Sequence, residues 1–134
     1  MQLLVNIDVE DLDRGIEFYS AAFGFRLERR LFNGTVAELL GSTSRIYLLL
    51  KRAGTIPFAS ATRARDYHRH WTPVHLDFVV DDIAATVDRA IAAGARLEHG
   101  IQSQKWGQLA TMSDPFGHGF CLVQFVGSEY EAVA

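Results

Sequence analysis

The chain contains an internal repeat, and this repeat limits the folds that are open to it. The stretch VEDLDRGIEFYSAAFGFRLERR, from Val9, resembles VDDIAATVDRAIAAGARLEHG, from Val80. Each follows an apolar strand, passes through an acidic pair into a segment with a helical apolar stripe, and reaches Gly24 or Gly94 before the same Arg-Leu-Glu. Acidic side chains are typical of helix starts and glycine of helix ends. Both stretches therefore predict strand, helix, strand.

The repeat continues with two further strands in each half. TVAELL and RIYLLLK follow in the first half, and QLATMS and GFCLVQF follow in the second. The fold class predicted is α+β, with two tandem β-α-β-β-β modules. In a single domain of 134 residues we place module one at 1–52, a linker at 53–71, module two at 72–127 and a C-terminal tail at 128–134. A linker this long predicts a lid, an arm that grips a partner, or a partly helical segment.

Composition excludes several classes of protein. The formal charge of -3 argues against nucleic-acid binding, because a protein that binds a duplex normally carries a basic face. No apolar run is long enough for a membrane span, and the first residues lack the pattern of a secretory signal. A single cysteine, Cys121, excludes an internal disulfide and is typical of a reducing compartment. We expect a cytoplasmic protein.

The repeat and its motifs resemble the vicinal oxygen chelate superfamily, which includes glyoxalase I, extradiol dioxygenases, and the fosfomycin- and bleomycin-resistance proteins. This resemblance implies that the two modules form a cup-shaped mixed sheet. It also implies a homodimer, because family members commonly complete their clefts by pairing modules between chains. The residues that carry the resemblance are Val9, Asp11, Leu12, Arg14, Ile16, Phe18, Tyr19, Gly24, Trp106, Gly107, Asp114, Pro115 and Gly117.

Metal enzymes of this superfamily place their ligands on the inner face of the first and last strands of each module. Strand alternation and motif matching put Leu4, Tyr47, His75 and Cys121 at those positions. Only His75 is of the expected type, and hard octahedral metals prefer oxygen and nitrogen ligands. We therefore expect no cofactor. If a divalent metal is bound, the predicted ligands are His75 with His68 or His70.

Six residues are predicted to bind a ligand on the inner face of the cup. For Cys121 three interpretations stay open: a small buried side chain, a reactive thiol, or a metal thiolate. His75 and Asp77 are either a proton-transfer pair or a structural pair. Trp106 either stacks on a planar ligand or packs at an edge. The predicted ligand-binding residues are Asn6, Tyr47, His75, Asp77, Trp106 and Cys121.

Two functions follow from these observations. The first is a protein that binds a small, partly aromatic or apolar molecule in its cup without the usual metal, over a floor of Leu4, Leu49 and Val123. The alternative is a metal-dependent lyase, isomerase or dioxygenase with non-standard ligands around His75. A regulatory module without a ligand of its own is a third possibility. The catalytic residues, if any, are unknown from the sequence.

Overall fold

A computed structural model describes residues 1–134, and the chain divides into two compact units, Met1–His68 and Arg69–Ala134. The first unit holds one helix and a four-stranded sheet in the order β1-β4-β3-β2. Strands β1 and β4 run parallel, whereas the β4–β3 and β3–β2 pairs are antiparallel. Its elements are β1 (Leu4–Val9), α1 (Leu12–Phe23), β2 (Arg26–Leu31), β3 (Val36–Leu40) and β4 (Arg45–Leu50).

The second unit repeats this topology, with its sheet in the order β5-β8-β7-β6. Its one parallel pair is β5–β8, the counterpart of β1–β4. Its elements are β5 (Leu76–Val79), α2 (Ile83–Ala93), β6 (Arg96–Gln104), β7 (Gly107–Ser113) and β8 (Gly119–Phe125), followed by a short 3-10 turn at Glu131–Val133. The predicted α+β fold with two tandem β-α-β-β-β modules is confirmed.

Both helices begin and end with the residues that the repeat predicts. The side chains of Asp11 and Asp82 each accept a hydrogen bond of 3.0 Å from the backbone N–H three residues further on. Gly24 and Gly94 follow the helices in the left-handed conformation, with φ of 72° and 115°. A side chain would be strained there, so glycine ends each helix where the chain must turn back towards the sheet.

Each helix packs on one face of its own sheet. In the first unit Gly15 of α1 lies against the sheet so closely that a Cβ there would be 3.1 Å from Leu48 and 3.3 Å from Val9. In the second unit Phe78 and Phe120 pack edge to face below α2, with ring centroids 5.7 Å apart. Burial of these apolar side chains stabilises each unit. The opposite face of each sheet carries no helix, and we call it the helix-free face.

The predicted linker contains no helix, and its residues up to 68 belong to the first unit. Gly54 donates a backbone hydrogen bond to Arg65, whose guanidinium pairs with Asp8 on β1 at 2.8 Å. The hydroxyl of Tyr67 donates to the backbone oxygen of Lys51. These contacts hold the linker against β1 and the end of β4. No helix of the protein has the length and apolar character needed to cross a membrane.

Candidate functional site on the helix-free faces

Strand register places the predicted residues of the first unit side by side. Asn6 on β1 is paired with Tyr47 on β4, and Tyr47 is paired with Glu38 on β3. Successive strand residues point to opposite faces, and the neighbouring Leu48 packs on α1. Tyr47 and its paired residues therefore lie on the helix-free face, as alternation predicts.

Glu38 is the most unusual residue of this face, because its carboxylate is fully buried. Arg29 donates from Nε to one carboxylate oxygen at 2.5 Å, and Arg45 donates from Nη1 to the other at 2.7 Å. The Tyr47 hydroxyl lies 3.3 Å from the same oxygen as Arg45. The hydrogen bond from Arg29 lowers the pKa of Glu38, and the carboxylate in turn raises the pKa of Arg29. The site is therefore an ionised carboxylate between two guanidinium groups.

The second unit brings together three other predicted residues. Asp77 on β5 is paired with Cys121 on β8, and His75 precedes Asp77 by two positions on the same face. The imidazole Nε2 of His75 lies 3.2 Å from a carboxylate oxygen of Asp77. The nitrogen, oxygen and sulfur ligand atoms of these side chains all lie within 4.8 Å of one another. His75 and Asp77 are exposed, and Cys121 is half-buried.

The environment of Cys121 keeps its thiol protonated. Burial raises the pKa of Cys121, and the negative charge of Asp77 raises it further, partly by accepting a hydrogen bond from the thiol. A hydrogen bond with Thr111, its partner on β7, acts in the opposite direction. A nucleophilic cysteine needs a lowered pKa. This environment therefore opposes the reactive-thiol interpretation.

A guanidinium group covers the neighbouring position of the same face. Arg69 lies against Gly119 so closely that any side chain at position 119 would overlap with it. Arg69 donates to both carboxylate oxygens of Glu98, at 2.7 and 3.0 Å, and to the backbone oxygen of His70. All three nitrogens of this guanidinium are thus used within the protein. The hydrogen bonds between Arg69 and Glu98 raise the pKa of Arg69 and lower that of Glu98.

Trp106 lies in an aromatic cluster at the turn between β6 and β7. Its ring centroid is 5.1 Å from that of Tyr130 and 6.0 Å from that of Phe125. Tyr130 in turn packs edge to face on Phe125 at 4.9 Å. These contacts connect the C-terminal tail to β8. A role of Trp106 in ligand binding stays a prediction.

The two histidines of the linker, His68 and His70, belong to different units. His68 is in the first unit, where its Nδ1 lies 2.6 Å from the carboxylate of Asp66, and its side chain is exposed. His70 is in the second unit, and its backbone oxygen accepts from Arg69. The side chains that the structure groups with His75 are Asp77 and Cys121.

The donor atoms of His75, Asp77 and Cys121 fit some divalent metals better than others. Imidazole, carboxylate and thiolate are all ligands of zinc, and zinc accepts mixed nitrogen, oxygen and sulfur sites. A thiol is poorly suited to hard ions such as magnesium or manganese. In the first unit, the corresponding positions hold Leu4, which has no donor, Asn6, whose amide is neutral, and Tyr47, whose hydroxyl contacts Glu38. His75, Asp77 and Cys121 therefore fit a borderline-soft divalent ion.

Sequence reasoning missed the charged partners on these faces. Glu38 stands in the apolar strand VAELL, and its isolation there is a signal that a buried carboxylate needs a cationic partner. Its partners could not be chosen without the strand register, which aligns Arg29 with Glu38 across a β-bulge. The pairing of Arg69 with Glu98, 29 residues apart, had no local signal.

Comparisons with known proteins agree with this architecture. The sequence model of the glyoxalase-like domain matches residues 4–123. An uncharacterized protein of Mycobacterium bovis is 28% identical over 119 residues, which cover 87% of this chain and 78% of the relative. An uncharacterized protein of Mycobacterium tuberculosis is equally similar, with 69% of its length covered.

Solved structures show the same fold. A glyoxalase family protein from Bacillus cereus superimposes with a TM-score of 0.70 and 25% identity, covering 95% of each chain. The fosfomycin resistance protein FosX from Listeria monocytogenes gives a TM-score of 0.69 at 16% identity, over 95% of this chain and 94% of FosX. The repeated module and these matches define a protein of the vicinal oxygen chelate superfamily. Within it, the chain belongs to the glyoxalase-like domain family.

Proposed function

We propose that this protein binds a small, partly aromatic or apolar molecule on its helix-free sheet faces, without the usual metal centre of the superfamily. The observation that carries the proposal is the composition of those faces. A few polar groups, among them Asn6, Tyr47 and Asp77, stand beside apolar residues such as Leu4 and Leu49. Ligand sites typically combine apolar surface with a few placed polar groups.

The polar groups would fix the orientation of the ligand, and the apolar residues would supply most of the affinity. His75 and Asp77 offer a donor and acceptor pair at 3.2 Å, and the half-buried thiol of Cys121 lies beside them. Val123 of the predicted floor lies two positions after Cys121 on the same face and is fully buried, so it has no exposed surface for a ligand. Tyr47 would act with its hydroxyl fixed by Glu38.

A thermal-shift screen of aromatic small molecules, followed by calorimetry in the presence and absence of a chelator, tests this function. We expect saturable binding that the chelator does not change, and no turnover of the ligand. Trp106→Ala should weaken the binding. Tyr130→Ala is the control, because it removes a packing partner of Trp106 and keeps the indole. Equal affinity of the Trp106 variant and the wild type would remove Trp106 from the site.

A second function is favoured by the group of His75, Asp77 and Cys121. It is a metal-dependent lyase, isomerase or dioxygenase in which these side chains hold a divalent ion. A bound ion would polarise substrate oxygens or activate dioxygen. Cys121 would have to lose its proton to bind the ion, so its raised pKa makes metal affinity fall at lower pH.

Elemental analysis after exposure to zinc and exhaustive dialysis separates the two functions. Retention of one zinc per chain, lost in Asp77→Asn and Cys121→Ser, would support the enzyme. His99→Gln is the matched control, since His99 lies in the register row of Thr111 and Cys121 but outside the three-residue group. If the protein retains no zinc, the metal-independent binding function remains the proposed one.

We also infer that two copies of the chain pair in solution. Strand β6 lies at a sheet edge, and all nine of its residues are exposed. An exposed edge of this length offers unpaired backbone groups to another chain. Light scattering coupled to size exclusion, over a range of protein concentrations, tests this state. A molar mass near 14.9 kDa at every concentration would contradict it.

A further inference from the structure

Burying the carboxylate of Glu38 costs free energy, and the sheet does not need a carboxylate at this position in order to form. Burying a charge is unfavourable unless it is paired, and apolar residues of similar volume usually stabilise a fold equally well or better. Glu38 is fully buried on the helix-free face, where Arg29 and Arg45 pair with it. A group of this kind needs an explanation beyond stability.

The second unit builds the same sheet without this group. Thr111 occupies the register position of Glu38, His99 that of Arg29, and Gly119 that of Arg45. Both units even carry a bulge at the corresponding place, between positions 27 and 29 and between 97 and 99. The repeat therefore folds without the ionic group. The group is a property of the first unit alone.

The two arginines retain donors that nothing in the protein uses. Arg45 contacts Glu38 through Nη1 only, and Arg29 contacts it through Nε only. Their side chains are 50% and 59% exposed. Arg69 of the second unit is different, because each of its nitrogens is bonded within the protein. On the helix-free faces, Arg29 and Arg45 are thus held in place by Glu38 and still have unused donors, unlike Arg69.

The charge balance of the group favours an anion. The two guanidinium groups and the ionised carboxylate together carry a net charge of +1. Glu38 restricts both arginines, so a bound anion would find donors already in position. Guanidinium groups bind carboxylate and phosphate with paired, charge-assisted hydrogen bonds.

There is space for a ligand beside Arg45. A depression of about 460 Å³ lies at the end of strands β1, β3 and β4. Leu3, which is 70% exposed, and Leu40 form its apolar part. Its polar lining comes from Ser42, Thr43, Ser44 and Arg45. The depression is therefore mostly polar, with a smaller apolar part next to the cation of Arg45.

We propose that the helix-free face of the first unit binds the oxyanion group, a carboxylate or a phosphate, of a small amphiphilic molecule through Arg45 and Arg29. The apolar body of that molecule lies in the depression lined by Leu3 and Leu40. This inference rests on the proposed ligand-binding function and specifies the chemical class of the ligand. Glu38 is a positioning residue, since it acts through the two arginines.

The test uses the full chain labelled with ¹⁵N and three probes: benzoate, benzamide and inorganic phosphate. Benzoate and benzamide share a ring and a shape and differ in charge. We expect benzoate to shift the Nε–Hε resonances of Arg45 and Arg29 in a saturable manner, and benzamide to leave them in place. In Arg45→Gln the dissociation constant for benzoate should rise by at least about ten-fold.

The matched control is Arg30→Gln. Arg30 neighbours Arg29 on β2, but its guanidinium pairs with Asp13 of α1 on the other face. This variant should bind benzoate like the wild type. If Arg45→Gln does not fold, Arg45→Lys replaces it, because lysine keeps the positive charge next to Glu38. This variant should also weaken benzoate binding, since lysine lacks the planar guanidinium.

The outcomes separate this inference from the proposed function. Benzoate and benzamide binding equally, with no change in Arg45→Gln, would overturn the oxyanion site and leave a ligand-binding protein. A shift of Arg45 by phosphate alone would support the site and assign it to a phosphate group. If none of the three probes shifts the arginine resonances, the oxyanion site is rejected, and the thermal-shift screen decides the proposed function independently.

Discussion

The two units have the same strand order and the same helix placement, yet their helix-free faces differ in chemistry. In the first unit the central row is Asn6, Tyr47 and Glu38, with two arginines around the carboxylate. In the second unit the corresponding row is Asp77, Cys121 and Thr111. The first face carries two guanidinium groups with unused donors. The second carries a carboxylate beside an imidazole and a thiol, and its Arg69 is fully paired within the protein. The duplicated fold thus supports two different local chemistries.

The comparison separates the residues that form the fold from those that give it a function. The residues that build the fold have equivalents in both units. Leu48 and Leu122 are both fully buried, and Asp11 and Asp82 cap their helices with the same hydrogen bond. Positions on the helix-free faces are not conserved between the repeats. Since a shared scaffold hosts unrelated chemistries, the differences on those faces are the place to look for function.

The largest effect is expected in the two cores. Leu48→Ala and Leu122→Ala each remove a fully buried side chain next to a helix, and each should lower the free energy of unfolding by about 2–5 kcal/mol. Denaturant unfolding followed by circular dichroism measures both. Similar losses would support equivalent cores. A loss below about 1 kcal/mol in only one variant would show that the units do not share a packing scheme.

The next effect concerns the carboxylate that only one unit has. Glu38→Gln leaves two guanidinium groups without their counter-charge, so its melting temperature should fall well below that of Thr111→Val, the change at the matching position. The pKa of Glu38 is lowered in the folded protein. Its charge therefore stabilises the fold above the unfolded pKa of about 4.3, and this contribution is lost as the pH falls further.

Melting curves from pH 7 to pH 3 measure this difference. The gap between wild type and Glu38→Gln should narrow as the pH falls below about 4.3, where the unfolded chain begins to take up a proton at Glu38. It should close once the pH has passed the lowered pKa of the folded carboxylate. A gap that stays constant over this range would mean that the hydrogen-bond geometry, and not the charge, stabilises this face.

The repeat predicted the folded elements well, because helix caps, apolar periodicity and glycine positions are local. It also predicted which residues of β1, β4, β5 and β8 share a face. Side chains alternate along a strand, so the face of one residue fixes the faces of the others. It did not predict which distant charges would meet. Glu38 with Arg45, and Arg69 with Glu98, depend on register and on the path of the linker. Ion pairs between strands carry no periodic signal, so the sequence alone could not select them.

A smaller effect is expected at the linker, which has no counterpart elsewhere in the repeat. The half-buried Tyr67 donates from its hydroxyl to the backbone oxygen of Lys51. Partial burial, with the nearby charge of Asp8, raises the pKa of Tyr67 to about 12. Tyr67→Phe should cost about 0.5–1.5 kcal/mol. Because the folded pKa lies above the unfolded value of about 10, this group stabilises the fold fully below pH 10 and loses its effect as the pH rises towards 12.

Absorbance of ionised tyrosine near 295 nm, titrated in wild type and in Tyr67→Phe, checks this assignment. The difference between the two curves isolates Tyr67 and should have its midpoint at about pH 12. A midpoint near 10 would show that the linker is not held against β1 and Lys51 in solution.

The smallest effect is expected at Cys121, where it alters reactivity more than stability. Burial and the charge of Asp77 raise the pKa of the thiol. Asp77→Asn removes that charge, so more thiolate forms at pH 8 and the reaction with a disulfide reagent should become several-fold faster. Thr111→Val is the opposite control. Because the hydrogen bond with Thr111 lowers the pKa of Cys121, its loss should slow the reaction. If both variants react at the wild-type rate, access to Cys121 limits the reaction, and the polar row of the second unit does not tune its thiol.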